Sequence, residues 1–112
     1  MKQLSTDEFI FVASLREDML IKLNYEPDNI YNFVYRIGRI THVSNHPYVI
    51  YYGGIALVKW LVDKTKDQLT GKDWITGSGL SLDYLFPDDI PMVQIMTDKD
   101  LPELALLSLA VS

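Results

Sequence analysis

The carboxylates of "LDYLFPDDIP", residues 82–91, are the groups best placed by type and spacing to do chemistry. Asp83, Asp88 and Asp89 in one short segment could work as an acid–base pair or hold a divalent cation. The calcium-loop spacing D-x-[DN]-x-[DN]-G is absent, however, and adjacent acids beside prolines are ordinary turn residues. Their company sets them apart. Tyr84 and Phe86 are interleaved with these acids, and Trp74 precedes them. Interfaces favour aromatic rings at the centre and charges at the rim, where charge steers approach and fixes register. The residues expected to bind a partner are Trp74, Asp83, Tyr84, Phe86, Asp88 and Asp89.

Other constellations fall short of a reaction. His42 and His46 are the only histidines and stand four apart, a spacing that binds metal when both lie on one helix face. Pro47 and the intervening "VSN" oppose a helix there, and no third ligand is near, so neither a metal nor any other cofactor is expected. "HPYVIYYGGIALVKW" has the order of a phosphate loop: apolar run, Gly53-Gly54, then an apolar segment. It lacks a completed glycine fingerprint, and its first cation, Lys59, comes more than a helical turn late. The glycines are read as a forced turn. In "TGSGLS", Ser78 has no base at the spacing of a nucleophile elbow. With no cysteine there is no disulfide, thiolate site or thiol nucleophile. An enzyme is not expected.

Charge narrows the partner. The net charge of −5 is uneven: residues 1–72 hold nine Lys and Arg against eight acids, whereas residues 73–112 hold seven acids against Lys99 alone. No run of cations marks a grip on phosphate backbones, so direct nucleic-acid binding is not expected. An acidic lobe instead steers toward a basic protein. No stretch of about 20 apolar residues is present to cross a bilayer, and the N-terminal residues lack a signal-peptide pattern. A cytoplasmic location without membrane contact is the expectation.

Local patterns predict the elements that must position these residues. Ser5 and Glu8 form an S-x-x-E capping box, and Phe9, Val12, Leu15, Leu20 and Leu23 continue a helix over residues 6–23. After the turn "NYEPDN", Ile30, Phe33, Val34 and Ile37 trace a second helix ending near Gly38. Tyr48–Tyr52 read as a short strand. Ile55, Val58, Leu61, Val62 and Leu69 trace a third helix ending near Gly71. Residues 71–91 read as a packed irregular loop, "MVQIMT" at 92–97 as a second strand, and residues 98–112 as an apolar closing helix.

The expected fold is therefore α+β and mainly helical: about four helices and a small two-stranded β element in a single compact domain. The expected function is that of a small acidic protein-binding module, an inhibitor or immunity-type protein that blocks a basic protein partner. The alternative is a structural or assembly subunit or a homo-oligomer, such as a homo-dimer, built through the C-terminal helix, whose apolar wall (Leu101, Leu104, Leu107 and their neighbours) invites a second chain.

Overall fold

Ser5 starts the first element, its hydroxyl accepting the Glu8 backbone N–H at 3.2 Å while the Glu8 carboxylate accepts that of Ser5 at 2.9 Å. The computed structural model describes residues 5–44, 54–77, 81–100 and 102. Helix α1 spans Thr6–Ser14 and stops well short of residue 23. Arg16 folds back onto its end, and Nη1 donates to the carbonyls of Ala13 (2.7 Å) and Leu15 (2.8 Å). Asp18 then turns the chain at φ 70°, and β1 begins at Leu20.

From Leu20 onward the described chain is mostly antiparallel sheet, which overturns the mainly helical expectation. The strands are β1 (Leu20–Asn24), β2 (Phe33–Val43), β3 (Ala56–Lys66), β4 (Asp73–Gly77), β5 (Leu82–Leu85) and β6 (Val93–Ile95). The expected second helix is the connection into β2 and most of that strand. The expected third helix is β3, so Gly54, at φ 91°, leads into a strand and not into a helix N-terminus. The segment expected as an irregular loop supplies β4, β5 and the start of a 3-10 helix over Pro87–Met92. β6 lies within the segment expected as the second strand. The strand expected at 48–52 lies outside the described residues. So do residues 101 and 103–112 of the expected closing helix.

Strand order is β4-β3-β2-β1-β6, with β5 also on β3. The eleven-residue β3 takes β5 along its first half and β4 along its second, both on the edge opposite β2. The 3-10 helix between β5 and β6 packs onto one face of the sheet, and one cluster lies there: Ile21 and Leu23 from β1, Ile40 from β2, Val58 and Trp60 from β3, Leu85 from β5, and Ile90 from the 3-10 helix. Val12 and Leu15 of α1 enter the same cluster.

A β-bulge redirects β3. Ile37 pairs with Val62 and Gly38 with Trp60, so Leu61 is the extra residue between them. Leu61 and Val62 then both join Tyr35 and Ile37 in a second cluster on the opposite face of the sheet.

Candidate functional site

β5 and the 3-10 helix after it carry five of the six residues expected to bind a partner. Leu85 is buried in the main cluster, so its alternate neighbour Tyr84 turns outward and is half exposed. Phe86, also half exposed, is the N-cap of the 3-10 helix, and its ring centroid lies 6.3 Å from that of Tyr84. Asp83 and Asp88, both exposed, flank this ring pair in the chain; Asp83 pairs with Val58 and so turns to the face of Leu85, away from Tyr84, while its carboxylate accepts the Tyr84 backbone N–H at 2.8 Å. Together they make β5 and its turn an exposed ridge that carries two rings and two carboxylates.

Asp89 belongs to the ridge in sequence but works inward. Its Oδ2 accepts the Phe86 backbone N–H at 2.9 Å, which ties down the start of the turn. Burial pushes its carboxyl above the usual aspartate range; the Phe86 N–H pulls it back, and Asp88 and Asp83 add to the rise. Asp89 holds the ridge together more than it offers charge.

Trp74 does not join the ridge. It sits on β4 opposite Thr65, whereas Tyr84 sits on β5 opposite Leu57. Eight residues of β3 separate those partners, about 26 Å of strand. Trp74 instead walls an open groove with Tyr31, Asn32, Thr65 and Gln68.

Behind the ridge lies a polar knot that no spacing in the sequence announces. Arg36 Nε donates to Asp63 Oδ1 at 2.7 Å, with both side chains largely buried, and Nη2 donates to Ser81 Oγ at 3.3 Å. The guanidinium lies 4.5 Å from the Trp60 ring and 5.0 Å from that of Phe33. Burial raises the Tyr25 phenol above its ordinary value; the hydrogen bond and charge of Arg36 oppose this, while the charges of Asp89 and Asp63 add to it. With its Nε and one terminal nitrogen engaged and two rings against it, Arg36 clamps β2, β3 and the lead-in to β5. Its one advance signal is that Arg36 lies off the apolar stripe.

The opposite face of the sheet brings together cations that the sequence disperses. Leu20, Arg39, Lys59 and Leu82 lie side by side across four strands, so Arg39 and Lys59 share a face. Alternation and the bulge add Lys22, Lys64 and Lys66. The Lys22 and Lys64 ammonium groups lie 4.2 and 5.4 Å from the centre of the Tyr35 ring. Five of the chain's ten Lys and Arg thus occupy one face. On the paired strands that face has one acid, Asp73, which lies 3.7 Å from Lys64.

His42 lies one residue before the end of β2, with Nδ1 3.9 Å from Glu17 and both side chains exposed; His46 lies outside the described residues, as does Ser78. Among the described residues no group of three or more His, Cys, Asp or Glu is arranged to hold a metal ion. Among them, too, no helix is long and apolar enough to cross a membrane. No family model matches the chain, and neither a curated protein nor a solved structure matches it.

Proposed function

We propose that the chain is a small acidic protein-binding module, an inhibitor or immunity-type protein that occupies a basic surface of its partner. One observation carries this reading: Tyr84 and Phe86 form an exposed ring pair flanked by the carboxylates of Asp83 and Asp88, on a strand and turn anchored by Leu85 and Asp89. Rings supply contact area with little side-chain entropy to lose, and flanking carboxylates steer a cationic surface into place. The anchors leave the ridge preorganised, which reduces the ordering cost of association.

The test is the binding of a fluorescent Lys/Arg-rich peptide, followed by anisotropy and by stopped-flow mixing. Asp83→Asn with Asp88→Asn should slow association and flatten its salt dependence. Tyr84→Ala with Phe86→Ala should speed dissociation instead. Binding that neither pair of substitutions alters would refute the ridge as the contact surface. The alternative, assembly through the apolar C-terminal segment, rests on residues outside the described set.

A further inference from the structure

We infer that, where no other partner occupies it, the acidic ridge meets the sheet face of a second copy of this chain, an inference that rests on the ridge being a contact surface. The observation behind it is the segregation of charge within one sheet. Arg39, Lys59, Lys22, Lys64 and Lys66 share a face with Leu82 and Tyr84, while Asp83 turns away from that face and Asp88 is exposed on the turn beyond it. The two regions adjoin: Leu82, next to Asp83, pairs with Lys59.

The two surfaces cannot satisfy each other within one molecule. β5 is hydrogen bonded into the same sheet as the cations, so backbone pairing fixes ridge and face side by side and prevents either from folding onto the other. Among the described residues, each copy therefore offers a cationic face and acidic groups that do not meet within one molecule. A second copy supplies the complement to both, either as a two-fold pair or head to tail. Tyr84 and Leu82, half exposed or more, would enter the contact beside the cations, with the lysine stems of the face giving them apolar ground. Charge sets which surfaces meet, and the rings and aliphatic stems contribute the buried area.

The test uses two full-length variants and light scattering. The face variant carries Arg39→Glu and Lys59→Glu; the ridge variant carries Asp83→Lys and Asp88→Lys. The unmodified chain should exceed the monomer mass at about 50 mM salt and fall toward it at about 500 mM, as screening shortens. Each variant alone should be monomeric, with self-association weakened about tenfold or more. An equimolar mixture should recover a one-to-one complex, because one intact ridge then meets one intact face. That recovery also shows that both variants fold.

A monomeric unmodified chain, or a mixture that forms no complex, overturns the inference. So does a face variant that associates as well as the unmodified chain. A Lys/Arg-rich peptide separates the two levels: if it binds the ridge of a monomeric chain, self-association fails and the ridge stands, and if it does not bind, both fail. A monomeric chain that holds a single-stranded DNA probe and loses it in the face variant would assign the face to nucleic acid and refute the second copy.

Discussion

Trp60 packs so closely over Gly38 that a Cβ at position 38 would lie 2.7 Å from its ring and 2.5 Å from Val58 Cγ1. The backbone carbonyl of Lys59 would stand 3.0 Å away. Gly38 is therefore a mid-strand glycine kept small by its cross-strand neighbours, not the end of a helix.

Gly38→Ala should destabilise the fold by about 1–3 kcal/mol through overpacking, outweighing the entropy an alanine ordinarily recovers. Denaturant unfolding measures it. Stability equal to or above that of the unmodified chain would mean that Trp60 can move aside.

Asp63→Ala should cost about 3 kcal/mol, because it strands the largely buried Arg36 guanidinium between two rings. Arg36→Met combined with Asp63→Ala should cost less than Asp63→Ala alone, since the stranded charge is gone. A double-mutant cycle in urea reads the difference. Additive costs would show that the two side chains act independently.

Asp89 makes the fold pH-dependent with a sign opposite to that of most aspartates. Its folded carboxyl is raised by burial, so in the window above the ordinary aspartate value of about 4 the folded state binds more protons than the unfolded one. The contribution is fully present below that value and is lost as pH rises through the raised folded value. Asp89→Asn keeps an oxygen to accept the Phe86 N–H and should remove this decline. Thermal unfolding from pH 3 to 7 compares the two slopes; identical slopes would contradict the assignment.

The start of α1 was legible because a capping box is local: Ser5 and Glu8 carry the whole signal. The sheet was not, because the residues that build it also fit helical spacing. Val58, Leu61 and Val62 stand at i, i+3 and i+4, which reads as a helix stripe. In the structure Ala56, Val58 and Trp60 enter the main cluster at a period of two, and the bulge then turns Leu61 and Val62 to the other face, which leaves apolar residues at helical spacing. Ile21 and Leu23 were likewise hidden inside a pattern that counted Leu20 and Leu23.

The ridge was legible as a run of neighbouring residues, which a short strand and turn preserve. Trp74 was grouped with it on sequence nearness, and pairing to the far half of β3 separates them. Arg36, Asp63 and Ser81 meet only through register, the last standing 45 positions after the first. The cationic face is of the same kind: its members are scattered over three strands, Lys22, Arg39 and Lys59 beside apolar residues or glycine and Lys64 and Lys66 between acids and Thr65, so no stretch of sequence looks basic.

β6 has a consequence for the order in which the sheet forms and opens. β1, β2 and β3 are sequential neighbours, so their pairings close comparatively short loops. β6 is three residues long and joins β1 by pairing Ile21 with Ile95, the widest span of chain between paired strands in the sheet. Closing that loop costs the most entropy and returns the fewest backbone bonds. The meander can therefore assemble first and β6 last, and fluctuations of the native protein should release β6 before any other strand. Since the ridge runs from β5 into the turn that leads to β6, its shape depends on the final step of folding.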